Sequence, residues 1–366
     1  MGKSLFKSVA ALGVSASAIL FTVPALADSC PTVMGLVSNS VSAGENNTRL
    51  INDAINANQC VALPRGAFWV SVTAGGVVVK SNTTIKGAGA ATSMLIAKDR
   101  SPGGVIRRAA PVAKGDYVEN VTLQDFGVVI NTATYNRLNP VMIGIDLRSI
   151  SGSTITNVYV GNTPFGEAVA ATASQGWITA KSDLAQGIGI LACTKAGGDD
   201  FYSGGERNVI HRARIFGAKI GVSIDDPDLC PNSGAHGTVV SDGEIGTVQY
   251  GIAQQSRYAA GVTIRGNTVQ DCVAGGGQVA TLAGYVLYGY ANTIEGGYME
   301  AASPNAIKAI LFGPDSRGNR VNLGYVSIGK PNKETPQPLS STVVIRGVNN
   351  RVSGYDITTG NWYNSP

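Results

Sequence analysis

A pair of apolar residues with four others between them recurs as Leu123/Val128, Ile155/Val160, Ile210/Ile215, Val240/Ile245, Ile264/Val269, Ile294/Met299, Val321/Val326 and Val352/Ile357. Successive copies begin 24 to 32 residues apart, with one interval of 55. A solenoid shows such a loose period when its turns vary in length while its strands stay in register. A spacing of five changes parity, so each pair implies two short strands joined at a bend, as at Gly266-Asn267. A third apolar strand accompanies the pairs at Ile143 to Leu147, Ile188 to Leu191, Ile220 to Ile224, Tyr250 to Ile252, Tyr285 to Leu287, Ile310 to Phe312 and Val343 to Ile345. Three strands per coil predict an all-β fold, a triangular parallel β-helix.

The competing all-β arrangement, a sandwich or propeller of hairpins, needs tight Asn-Gly or Asp-Gly turns between paired strands. Asp242-Gly243 is the lone example, and it lies inside a repeat. Composition agrees with the solenoid: 44% apolar, 14% charged and 47 glycines in 366 residues describe a chain with a large core and many tight turns. The formal charge is +4, without a cluster of basic residues interleaved with aromatics, so no nucleic-acid partner is expected.

Lys3 and Lys7 precede an apolar stretch from Val9 to Val23, Pro24 ends it, and Ala25-Leu26-Ala27 supplies small residues for cleavage. Residues 1–27 therefore read as a signal peptide, with residues 28–366 as one domain exported to the periplasm or the medium. The apolar run is too short to span a membrane, and no later one is longer. Export permits disulfides among Cys30, Cys60, Cys193, Cys230 and Cys272. Cys30 and Cys60 flank the one convincing helix and are expected to pair. No CxxC spacing suggests zinc.

Asn47 is placed as the cap of that helix, in which Leu50, Ile51, Ala54 and Ile55 share a face and which ends by Asn58. Then follow Cys60-Val61-Ala62-Leu63-Pro64-Arg65-Gly66, Phe68-Trp69-Val70 and Ser81-Asn82-Thr83-Thr84-Ile85-Lys86-Gly87-Ala88-Gly89. This stretch, about residues 46 to 90, resembles the start of the pectate-lyase-like superfamily of right-handed parallel β-helices. In that superfamily a helix caps one end, and a Leu-Pro-x-Gly turn leads into Ser-Asn-Thr-Thr-Ile-x-Gly-x-Gly. It departs from the usual Asp-Gly-x-x-Asp lead-in, which here reads Ser42-Ala43-Gly44-Glu45-Asn46. The resemblance implies a single-stranded right-handed β-helix with a short N-terminal capping helix.

Equivalent positions of successive coils stack about 4.8 Å apart, so columns can be read from the sequence. Aligning Ile145, Ile188, Val222 and Ile252 puts Arg148, Leu191, Asp225 and Gln255 in one outward column and Ser149, Ala192, Asp226 and Ser256 in the next. Asp228 falls level with Tyr258, and Cys193 close enough to Cys230 to suggest a second disulfide, leaving Cys272 as a thiol. Two long insertions wall the same region: Gly161 to Gln186, with Trp177 and Lys181, and Thr194 to Glu206, with Asp199, Asp200, Phe201 and Tyr202. With Asp146 and Arg148 they make a substrate groove. Aromatic rings beside carboxylates suit sugars, which offer apolar faces and hydroxyls.

Three chemistries fit. In a polysaccharide lyase, Asp225, Asp226 and Asp228 would hold a hard cation, with calcium the candidate, and Arg257, Tyr258 or His236 would take the proton next to a uronate carboxylate. Pectate-lyase-like enzymes often set acidic metal ligands one coil from a basic residue, and Asp226 with Arg257 resembles that arrangement. In a glycoside hydrolase, Asp225 or Asp226 would work with Asp199, Asp200 or Asp146. Asp225-Asp226 and Ala235-His236-Gly237 are similar to polygalacturonase signatures, but their gap is too short for successive coils. In a non-catalytic carbohydrate-binding protein, the acids only cap turns. His211, Arg212 and Arg214 read as a solvated face, paired with Asp242 and Glu244 one coil on. Tyr159, Tyr298 and Tyr325 read as covering a sheet.

Overall fold

In a computed structural model of the chain, residues 30–99, 103–109, 118–130, 142–173, 184–190, 205–226, 234–246, 248–270, 282–302, 307–329 and 337–365 are described. They form a single-stranded right-handed parallel β-helix. One coil shows the plan: Val209–His211, then Arg214–Phe216, then Ala218–Ile224, each hydrogen-bonded to its equivalents one coil before and after. The first two strand types join into one sheet with two columns, and the third builds a separate nine-stranded sheet, the long face.

The apolar pairs set the register. Ile210 pairs with Val240, and Val240 with Ile264 and on to Ile294, Val321 and Val352. Val160, Ile215, Ile245, Val269, Met299 and Val326 stack in the second column. On the long face Ile145, Ile188, Val222 and Ile252 are successive partners, as the aligned columns require. All these side chains lie in one buried core that runs from Val33 to Val352. The last pair is an exception: Asp356, not Ile357, sits opposite Val326, and Ile357 is exposed.

The bend between the two short strands needs one left-handed residue per coil, supplied by Asp125, Asn157, Arg212, Asp242, Gly266 and Gly296. Asp, Asn and Gly reach that conformation at least cost. At the opposite corner a second device stacks: Asn208, Asn292, Asn319 and Asn350 are buried. The side-chain oxygens of Asn292, Asn319 and Asn350 accept the backbone N–H of Val262, Asn292 and Asn319 at 3.0, 2.9 and 3.2 Å. A buried donor left unpaired costs about 1–3 kcal/mol, so this ladder lets the corner turn inside the core.

The helix Gly44–Ala57 covers the N-terminal end, with Ile51 and Ile55 buried and Leu50 and Ala54 packed against the core. It begins three residues before Asn47, which is therefore not its cap. Asn47 is buried within the first turn and ties the helix to the coil through Val37 N–H, Val37 O and Trp69 O at 2.9, 2.9 and 3.1 Å. The Cys30–Cys60 disulfide forms as expected, with Cα atoms 5.0 Å apart across a separation of 30 residues. A loop of that length is worth about 3 kcal/mol in the chain-entropy model. Cys30→Ser/Cys60→Ser should lower the thermal midpoint by several degrees, and reductant should reproduce the shift in wild type but not in the variant. At the other end Asn361–Asn364 runs antiparallel to Arg351–Asp356 and covers the last strand of the two-column sheet. Cys193, Cys230 and Cys272 lie outside the described residues.

Candidate functional site

On the long face, Ile145 and Leu147 belong to the core, so Asp146 between them faces the outer side, in a rung with Gly189 and Ser223. Although outward-facing, Asp146 is only 1% exposed. Its carboxylate accepts the Arg148 backbone N–H at 3.0 Å, Arg148 Nε at 2.7 Å and a further hydrogen bond from Arg148 Nη2. Burial works against the Arg148 charge, but the charge and hydrogen bonds of Asp146 outweigh it and raise the guanidinium above its ordinary value. The two side chains that the sequence placed on the groove thus hold each other.

Asp225 and Asp226 diverge. Asp225 takes a left-handed backbone (φ +56°), and its side chain turns inside, fully buried, to accept the Ala235 N–H at 2.6 Å. The expected outward column therefore ends at Asp225, which ties the end of the long-face strand to Ala235 instead of opening to the groove. The same turn sends Asp226 back over the outer side of the long face, where its Oδ2 accepts a hydrogen bond from Gln186 Nε2 at 2.7 Å. Gln186 Oε1 and Ser223 Oγ nearby are buried with no hydrogen-bond partner among the described residues. Along the same face toward the C-terminus the outer side becomes apolar and aromatic: Ile220, Ala253 and Val286 pack with Tyr250 and Tyr288. Burial, with Tyr288 beside it, pushes the Tyr250 phenol up.

At the corner after the long face, His236, Ala260, Tyr290, Arg317 and Val348 bridge in sequence and form a short stack of their own. Ala260 leaves a gap in that stack. Around it opens a cleft of about 380 Å3 lined by Gly234, His236, Arg257, Tyr258, Tyr290, Asp315 and Arg317. Arg257 Nη2 donates to Tyr258 Oη at 2.6 Å and its guanidinium lies 4.8 Å from that ring's centroid. Arg257 Nη1 is 3.9 Å from Asp315 Oδ2, and Arg317 stacks over Tyr290 at 4.8 Å. The hydrogen bond to Tyr258, then its charge, then that of Asp315, push Arg257 above its ordinary value. Two cations against one carboxylate give the cleft a positive balance among the described residues.

The corner cleft gathers His236, Arg257 and Tyr258 and adds Tyr290, Asp315 and Arg317. Asp226 and Arg257 leave neighbouring coils, Asp226 bonded to Gln186 and Arg257 lining the corner cleft. Trp177, Lys181, Asp199, Asp200, Tyr202 and Asp228 lie outside the described residues. Calcium takes six to eight oxygens. Of the three expected ligands, Asp228 lies outside the described residues, Asp225 accepts the Ala235 N–H, and Asp226 accepts a hydrogen bond from Gln186. The charge ladder is also partly reassigned: Arg214 pairs with Glu244 at 3.0 Å, while Asp242 meets His211 at 3.2 Å rather than Arg212. Tyr159 is buried, stacked between Phe165 and Phe216, and its hydroxyl donates to Thr163 O.

No family model matches the chain, and no curated protein does. Among solved structures it is similar to ORF18 of Geobacillus virus E2, with a TM-score of 0.41 and 13% identity over 89% of this chain and 61% of that one. It is also similar to the catalytic unit of a GH87 α-1,3-glucanase from Streptomyces thermodiastaticus (TM-score 0.48, 17% identity, 85% and 50% covered). A third is the A-module of the mannuronan C-5 epimerase AlgE6 from Azotobacter vinelandii (TM-score 0.41, 13% identity, 82% and 87% covered). The chain spans 61% and 50% of the length of the first two.

Proposed function

We propose that the protein is an exported enzyme that cleaves a uronate-containing polysaccharide by β-elimination in the corner cleft. The supporting observation is the Arg257–Tyr258 pair: a guanidinium bonded to a phenol oxygen, in a cleft with a second arginine and a histidine. Arg317 and Arg257 neutralise the substrate carboxylate, which makes the proton on the adjacent carbon removable. The Tyr258 oxygen, held by the Arg257 hydrogen bond and acting as the base, takes that proton. The electron pair forms a double bond to the next carbon, whose bond to the glycosidic oxygen breaks. His236 donates the proton that the departing oxygen needs. Export is supported by the N-terminal pattern and the Cys30–Cys60 bridge. Among the described residues no helix is long and apolar enough to cross a membrane.

A second reading rests on Asp146 and Asp226, two carboxylates over the outer side of the long face. Such a pair suits hydrolysis, with one acid protonating the leaving oxygen and the other serving as base or nucleophile. Products separate the two. Elimination leaves an unsaturated uronate that absorbs in the ultraviolet, whereas hydrolysis leaves only new reducing ends. A panel of acidic and neutral polysaccharides, assayed with and without chelator, should give the absorbing product from an acidic polymer in both conditions. Reducing ends without absorbance, lost in Asp226→Asn, would replace the first reading by the second.

A further inference from the structure

Toward the C-terminal end, the outer side of the first short-strand column changes character. The column runs Thr84, Thr122, Thr154, Val209, Val239, Thr263 and Thr293, uncharged and β-branched throughout, and then becomes Arg320 and Arg351 on directly paired strands. Both arginines are exposed, and neither has an ion-pair partner among the described residues. Like charges directly opposite one another destabilise a sheet, and the preceding rungs show that the fold does not need them. They border an open cleft of about 720 Å3 whose other polar residues include Glu295, Asn322, Ser353 and Asn364.

Round the next bend, three residues from Asn322, the second column carries Tyr298, Tyr325 and Tyr355 in register, with Trp362 opposite Tyr355 on the antiparallel strand. The Tyr325–Tyr355 and Tyr355–Trp362 ring centroids are each 5.7 Å apart and edge-on, and Tyr325 and Trp362 are 57% and 62% exposed. Monomeric proteins rarely leave such a contiguous aromatic row in water without a use for it.

We propose that the arginine cleft and the aromatic row together form an auxiliary binding track for a polyuronate chain, separate from the corner cleft. The arginines bind carboxylates, and the rings take the apolar faces of pyranoses. Rungs about 4.8 Å apart match the scale of one sugar ring, so consecutive residues of a chain lying along the solenoid meet consecutive side chains. Charge complementarity selects this occupant over a neutral glycan. The track needs no chemistry from the corner cleft.

The test uses the full chain carrying Tyr258→Phe, which slows cleavage if the elimination reading holds, and every track variant is compared with that same parent, so the outcome does not depend on that reading. Affinity electrophoresis in gels containing sodium polygalacturonate, sodium alginate or dextran should show retardation by at least one polyuronate and none by dextran. About 0.5 M salt should abolish it. Arg320→Gln/Arg351→Gln should weaken that binding about tenfold or more, and Tyr325→Ala/Trp362→Ala should weaken it severalfold, with thermal midpoints near the parent's. Equal retardation by dextran, an arginine variant that binds as the parent does, or no retardation by either polyuronate would overturn the proposal. So would self-association of the parent that the variants abolish in the absence of glycan binding.

Discussion

Tyr258→Phe should lower the rate of unsaturated-product formation by roughly two to four orders of magnitude, the contribution of a well-placed general base. The loss should fall on kcat, because the ring, its contact with Arg257 and the walls of the cleft all remain. Only the oxygen that accepts the Arg257 hydrogen bond is removed. Tyr258 is half-buried at the surface, so the thermal midpoint should stay put. A variant that retains full activity would remove Tyr258 from the chemistry and leave the carboxylates over the long face as the alternative.

Gly221→Val should have the largest effect on stability. Gly144, Gly187, Gly221, Gly251 and Gly284 stack on the long face where it presses against the opposite wall of the solenoid. A Cβ at Gly221 would lie 2.6 Å from the Gly251 carbonyl oxygen and collide with the Ile245 side chain. Neither backbone nor a buried isoleucine can yield that space, so the expected loss is about 3 kcal/mol or more, measured by chemical denaturation. Gly318→Ala provides the contrast. Nothing lies within 4 Å of a Cβ there, and the backbone has φ +64°, so the substitution should cost only about 1–2 kcal/mol of left-handed strain.

The repeat was legible because it is written in buried side chains. Ile210, Val240, Ile264 and their successors must all point inward, and a parity change marks every bend, so register could be read directly. The stacked asparagines were legible in principle: Asn208, Asn292, Asn319 and Asn350 each stand two residues before an apolar column member. Asp225 was misread because alternation predicts an outward side chain, and one left-handed residue cancels alternation. Tyr290, Asp315 and Arg317 could not be found from spacing, since the loops between coils differ in length and only the bridges from His236 to Val348 show which residues stack.

Both ends of the solenoid are plugged by elements that do not repeat, a helix at one end and an antiparallel strand at the other. Molecular length is therefore decoupled from the caps, and a whole coil is the natural quantum of evolutionary gain or loss. Adding one between Val240 and Ile264 would lengthen the barrel by a single layer and leave both plugs seated. A fragment of a coil inserted within a strand would break the register with the neighbouring coils, whereas the turns already vary in length without doing so.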